Sequence, residues 1–404
     1  MSATRAPAQG LVALLAGLAM LGPFSIDAMF PGFPAIGGEF AVSAPALQQL
    51  LSLYLLSYTV MALLHGPLSD ALGRRRVILA GTLLYALSGF GCALADSFGA
   101  LLAFRVLMGA VAGAGIIVGR AVVRDVFEGA RAERAMAVIG LIFGLGPALA
   151  PVLGGLLLAG FGWRAIFLAL ALLGLVLAVL VWRLLPETHP PERRQPLALA
   201  ALLAGYRGLL ADPAFLLLAF ATTFNFAALF LYIASAPAVV LDRLRLGILG
   251  FPGLFVPMVA GLMAGAGLAA RLAGRVPGAR VVAGAYAAMA LAQVGNLALA
   301  LGPAPGWPIA VLPLLPLAAG IAAAFPVITV AMLDRAPGRR GTASSLQTAL
   351  SLGFMAAVAG LLAPLLFHDL AALALGSAPL TLAGYAAWRG GTLAAARTPP
   401  REGD

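Results

Sequence analysis

Apolar residues run along this chain in blocks of about twenty, and most charged residues fall in the short segments between them. About twenty is the number a helix needs to cross a hydrocarbon core of roughly 30 Å. Twelve such blocks lie near 10–33, 46–65, 77–95, 99–119, 136–158, 164–185, 213–235, 248–270, 281–301, 308–332, 342–366 and 370–389. They predict an all-α polytopic membrane protein with twelve transmembrane helices. The last block is interrupted by Pro379, and the first contains Asp27 and is too long for the core of a signal peptide, so it is expected to be a retained helix.

Composition leaves little room for another class. Of 404 residues, 62% are hydrophobic and 10% charged, with a mean hydropathy of +1.03, whereas soluble domains carry about 25% charge. A soluble enzyme is excluded. The net charge of +10 would suggest a nucleic-acid partner in a soluble chain, but all 25 basic residues are arginine, a composition bias rather than a patterned surface. No nucleic-acid partner is expected.

Where the arginines sit orients the chain. Only Arg164, Arg243 and Arg245 fall on one face and Arg105 falls within a span; the other 21, among them Arg5, the Arg74-Arg75-Arg76 run and Arg401, fall on the opposite face with both termini. The positive-inside bias makes that face, and both termini, cytoplasmic. One long polar stretch, from Pro186-Glu187-Thr188 through Pro196 to Asp212, divides the blocks six and six. The expected organisation is a first six-helix bundle over 1–185, a cytoplasmic linker over 186–212 and a second six-helix bundle with a short cytoplasmic tail over 213–404. The Pro and charge content of the linker suggests a solvated segment, with a short surface helix over 197–210. A faint internal repeat supports two pseudo-symmetric halves: Gly73-Arg74 after the second block is echoed by Gly274-Arg275 after the eighth, although Asp70 is matched by Arg271.

Two ionisable residues stand inside the apolar blocks. Asp27 is the only acid placed in one, and Arg105 the only base away from a block's ends. Charged side chains are costly in hydrocarbon and usually mark a substrate or proton path. Both are expected six or seven positions from the outer ends of their helices, where pairing would lower the cost of each. The fifth block carries Gly146, Pro147, Ala150, Pro151, Gly154 and Gly155, a composition suited to close helix packing and a bend in a membrane. Phe24, Tyr54, Tyr58, Met108, Phe224, Asn225 and Gln347 are candidates to line a substrate cavity. His65, His189 and His368 are scattered and no acidic cluster or Gly-x-x-x-x-Gly-Lys loop is present, so neither a metal nor a nucleotide is expected. Without a nucleotide site, uphill transport would need an ion gradient. The lone Cys92 reads as a small buried hydrophobe.

These residues resemble a known family. The loop Gly66-x-x-x-Asp70-x-x-Gly73-Arg74-x-Arg76 is similar to the signature loop of the major facilitator superfamily. Gly146-x-x-x-Ala150-Pro151-x-x-Gly154-Gly155 resembles the antiporter motif of its drug/proton antiporters, and Arg105 with Gly109 resembles their fourth-helix motif. Ser25-Ile26-Asp27, Pro31, Pro34 and the linker Pro191-Glu192-Arg193-Arg194-Gln195-Pro196 look like the bicyclomycin/chloramphenicol-resistance subfamily. The resemblance implies the major facilitator fold in a bacterial cytoplasmic membrane, acting as a monomer. It implies export of small lipophilic compounds in exchange for protons by alternating access, with no cofactor beyond the coupling proton. By position, Asp27 would be the acid whose protonation competes with substrate, Arg105 would tune or relay that proton, and the Asp70–Arg74 loop would form a cytoplasmic latch. The sequence departs from the pattern where Ala150 replaces a glycine, Met108 replaces a glutamine that would give Arg105 a polar partner, and Ala19 stands where some relatives carry a second acid. A single acid favours electroneutral handling of neutral substrates. A proton-linked carrier of a polar metabolite such as a sugar, and a membrane scaffold or sensor that does not transport, are the alternatives.

Overall fold

The computed structural model describes residues 8–194, 196–302 and 306–397. Arg5, Gln195 and Arg401 lie outside the described residues. Among the described residues there is no strand, and twelve helical spans are long and apolar enough to cross a membrane. In chain order they are Gln9–Phe40, Ala44–Leu72, Arg74–Ala93, Phe98–Val126, Gly129–Phe161, Trp163–Leu184, Pro213–Ala234, Pro252–Leu272, Gly278–Leu301, Ile309–Leu333, Pro337–Leu366 and Leu370–Arg397. Each overlaps one of the twelve blocks. The twelfth continues through Pro379 as one helix.

Several spans outrun the apolar blocks that announced them. The second and fourth are 29 residues long and the fifth 33, roughly 43 to 50 Å at 1.5 Å per residue. Their ends extend beyond the apolar core, so Asp70, Asp125 and Glu133 sit on helices rather than in loops. Asp27 is therefore not the only acid on a spanning helix.

The first span departs most from expectation. Its α-helix ends at Asp27, and a turn, a 3-10 segment Phe30–Gly32 and a helix Phe33–Phe40 complete the span. Pro31 has no N–H to donate to the carbonyl of Asp27, and Pro34 has none for Phe30. Two missing donors three residues apart weaken the helix at this point, and here it breaks. Asp27 thus occupies a break inside the span rather than a position along an unbroken helix.

The chain divides into two units, residues 1–198 and 199–404. In the first, the close helix neighbours are spans two with four, three with four and six, and one with four, five and six. In the second they are eight with ten, nine with ten and twelve, and seven with ten, eleven and twelve. Adding six to every member of the first set gives the second, so the two bundles share one packing plan. Gly73 (φ +101°) and Gly274 (φ +71°), the echoed glycines of the two loops, both adopt a positive φ that side chains resist.

Small residues set the closest approaches. A Cβ on Gly109 would collide with the carbonyl of Tyr54 across spans four and two, and one on Gly265 with the carbonyl of Ala319 across spans eight and ten. These are the same helix pair in the two units. Without a hydrophobic driving force between helices in lipid, such backbone proximity is a main source of packing energy. Gly265→Leu is therefore expected to lower the thermal midpoint of the purified protein by several degrees, while Gly267→Leu, where a Cβ meets nothing within 4 Å, leaves it within about one degree. Equal shifts in a thermal-melt assay would contradict this packing.

Candidate functional site

The break in the first span gathers a buried polar network. Asp27 is 2% exposed and its Oδ1 has no hydrogen-bond partner. It also ends a helix, where the dipole disfavours a negative charge. Two residues earlier, Ser25 Oγ donates to the carbonyl of Leu21 at 2.6 Å and lies 2.5 Å from the hydroxyl of Tyr85 on the third span. The Ser25 carbonyl would normally accept from residue 29; where the helix stops, Arg105 Nη1 donates to it instead at 3.1 Å.

Arg105 on the fourth span is fully buried. Its Nε donates to the carbonyl of Leu50 on the second span at 3.1 Å, Nη1 lies 3.4 Å from Met108 Sδ, and its guanidinium carbon stands 4.3 Å from the centre of the Tyr54 ring. The thioether of Met108 thus contacts the cation where a glutamine was missing. No ion pair joins Arg105 to Asp27 among the described residues, and Arg105 Nη2 is unpartnered. Arg105 is satisfied by carbonyls, sulfur and an aromatic face rather than by Asp27, and these contacts tie spans one, two and four together.

The fifth span lies against the break. Gly146, Ala150 and Gly154 recur every four residues and so share one face. A Cβ on Gly146 would meet Pro23 and one on Gly154 would collide with the carbonyl of Ala28. Ala150 is fully buried in a cluster with Ala28 and Ile166, against which Phe24 packs. Pro151 and Gly155 are buried on the same helix. The antiporter-like motif is thus the surface on which Pro23–Ala28, the segment carrying Asp27, is seated.

The signature loop forms a second centre within the same unit. Gly73 ends the second span, its N–H donating to the carbonyl of Ser69. Arg74, at the start of the third span, pairs with Asp70 at 2.5 Å and Asp125 at 3.3 Å, and its own N–H donates to Glu187 Oε1 at 2.8 Å. Glu187 also accepts from the His189 N–H and pairs with Arg194, while Thr188 Oγ1 donates to Asp125 at 2.9 Å. The start of the linker is therefore docked, not free in solvent: a carboxylate at the N-terminus of a helix is favoured by the dipole and the unpaired N–H groups. Gly66 is half-buried and Arg76 exposed.

Of the proposed cavity residues, Tyr54, Met108 and Tyr58 are buried within the first unit, with Tyr54 and Tyr58 edge to face at 6.3 Å. In the second unit Phe224 stacks on Phe220 and meets Phe354 edge-on, Gln347 donates to Thr222 and Ser351, and Asn225 donates to the hydroxyl of Tyr286 at 2.9 Å. Sequence reasoning passed over Tyr85, Asp125 and Glu187. Nothing local marks Tyr85, whose partner lies sixty positions away, whereas Glu187 in Pro186-Glu187-Thr188, at the exit of a span, carried a signal of charge at a helix end.

A family model described as Major Facilitator Superfamily matches residues 15–364. The chain belongs to the major facilitator superfamily, a family of membrane transporters and not of enzymes. It is 37% identical over 234 residues, covering 57% of this chain, to the Bacillus subtilis (strain 168) protein named Uncharacterized MFS-type transporter YdgK, and spans 58% of that relative's length. It is 29% identical over 329 residues to a Haemophilus influenzae protein named Bicyclomycin resistance protein homolog, with 81% of this chain and 82% of that one covered. Among solved structures, a bacterial homolog of the human lysosomal transporter Spinster superposes with a TM-score of 0.70 at 18% identity over 96% of each chain. That likeness carries the fold.

The Ser25–Tyr85 bond is testable on its own. Tyr85→Phe and Ser25→Ala are each expected to cost about 1 kcal/mol or more, and the double substitution clearly less than their sum, because both remove one shared hydrogen bond while Ser25→Ala also removes the bond to Leu21. Additive losses in a denaturation series would show that the two hydroxyls do not interact.

Proposed function

We propose that the chain exports small hydrophobic or amphipathic compounds in exchange for protons by alternating access, with Asp27 as the group that carries the coupling proton. The observation that carries this reading is the environment of Asp27: buried, at a helix break, with an oxygen that no protein group satisfies. The desolvation penalty falls on the charged carboxylate far more than on the neutral acid, so an acid held this way is suited to gain and lose a proton as access to water changes. Arg105 is the positioning residue, holding the Ser25 carbonyl and so the end of the helix on which Asp27 sits.

The substrate class is supported by what the polar residues already do. Asn225, Gln293 and Asn296 donate to Tyr286, to Ser377 and Thr381, and to Tyr232 respectively, inside the second unit. Each amide nitrogen is thus already engaged by a protein hydroxyl, although the Asn225 and Gln293 amide oxygens have no partner, and a polar metabolite such as a sugar would need many free groups. The relative named for bicyclomycin resistance points the same way. By the arginine bias, the proposed setting is a bacterial cytoplasmic membrane with both termini in the cytoplasm, a monomer sufficing, and with the Asp70–Arg74–Asp125–Glu187 cluster as a switch at the inner end of the first bundle.

Addition of lipophilic antibiotics to the purified, weakly buffered protein is expected to release protons, and Asp27→Asn to abolish release while ligand binding persists within about threefold. Release of equal size from Asp27→Asn would remove Asp27 from the coupling step.

A further inference from the structure

Arg105 has a counterpart on the same helix that the mechanism above leaves unused. Arg120 lies fifteen positions further along the fourth span, roughly 22 Å toward its other end at 1.5 Å per residue. Where Arg105 is fully buried and held by carbonyls, Arg120 is exposed and makes no hydrogen bond or ion pair with any described residue. Its side chain lines a cavity of about 210 Å³ inside the first unit, whose other walls are Ile116, Met136, Ile139, Gly140 and Phe143 from spans four and five. Apart from the cation, that lining is aliphatic, thioether and aromatic.

The surroundings leave the charge unneutralised. Tyr58 and Arg124 are titratable neighbours of Arg120. Arg124 is one helical turn away, and like charges at that spacing repel. The acid nearest on this helix, Asp125, is already engaged by Arg74 and Thr188. An unpaired guanidinium on a membrane-spanning helix, next to a second one and facing an apolar pocket, is the complement of a molecule with an anionic head on an apolar body. The guanidinium's planar fork can grip a carboxylate, sulfonate or phosphate through two hydrogen bonds.

We propose that the Arg120 pocket is a substrate subsite that selects amphiphiles bearing an anionic group and disfavours cationic ones. This rests on the export reading above and narrows its substrate class. The same head chemistry occurs on a free amphiphile and on an anionic lipid, and the proposal commits to the free amphiphile as the ligand that Arg120 discriminates.

Two dyes that differ by one group make the test: 8-anilinonaphthalene-1-sulfonate and N-phenyl-1-naphthylamine, which is the same skeleton without the sulfonate. Binding is measured by equilibrium dialysis of the full chain in phosphatidylcholine nanodiscs against empty discs, for wild type, Arg120→Gln and Arg120→Lys. The expected result is that wild type binds the sulfonate at least tenfold more tightly than the neutral dye. Arg120→Gln should lose at least fivefold for the sulfonate and stay within twofold for the neutral dye, which also reports that the variant is folded, and Arg120→Lys should retain most of the preference. Unchanged sulfonate affinity in Arg120→Gln overturns the subsite, as does a wild type that binds no sulfonate. If Arg120→Gln instead sheds co-purified phosphatidylglycerol with sulfonate affinity unchanged, the cation serves a lipid headgroup and the proposal fails. Proton release evoked by the neutral dye and lost in Asp27→Asn reads the export function separately, so the subsite can fail while that function stands.

Discussion

Inside a membrane every backbone carbonyl that loses its helical partner must find another, because water is not there to supply one. That constraint organises the first unit. Pro31 and Pro34 stop the first helix at Asp27, and the carbonyl of Ser25 is left without its usual donor. Arg105 supplies the hydrogen bond, but a buried guanidinium brings its own demands, met by Leu50, Met108 and the face of Tyr54. One proline-induced break thus recruits groups from spans two and four, and the hydroxyl of Tyr85 adds the third span through Ser25.

Close packing completes what hydrogen bonding begins. Asp27 is kept from lipid because the fifth span presents Gly146, Ala150 and Gly154 to the segment before and after it, and nothing larger fits against the Ala28 carbonyl. Ala150 in place of a glycine is compatible with this because its methyl belongs to the Ala28–Ile166 cluster rather than meeting backbone. The prolines of this span lie within one continuous 33-residue helix, and its small residues form the seat for Pro23–Ala28.

How much of this was legible in the sequence follows from the range of the signal. Twelve blocks of apolar residues report local hydrophobicity, and the spans follow them; the positive-φ glycines Gly73 and Gly274 sit where the loop echo places them. The site was legible in part. Asp27 and Arg105 stand out because charge within an apolar run is conspicuous, but nothing local says what either one touches, and the structure satisfies Arg105 with backbone carbonyls, which carry no sequence signature. Tyr85 and Asp125 were missed because their roles come from partners some fifty to sixty positions away. The linker was taken for a solvated segment because proline and charge dominate it, yet the carboxylate of Glu187 is fixed by the N–H of Arg74, a contact set by where two helix ends meet.

The two bundles repeat one arrangement of helices but divide their chemistry unequally. The first holds Asp27 and Arg105 within its spans, while the second holds a ladder of amides and hydroxyls, Asn225, Gln293, Asn296, Ser377 and Thr381, and keeps its buried ion pair, Arg335 with Asp212, at the helix ends. Substitutions in the amide ladder can reshape the second half without adding or removing a charge, whereas any replacement of Asp27 or Arg105 by a neutral residue changes the charge buried in the first.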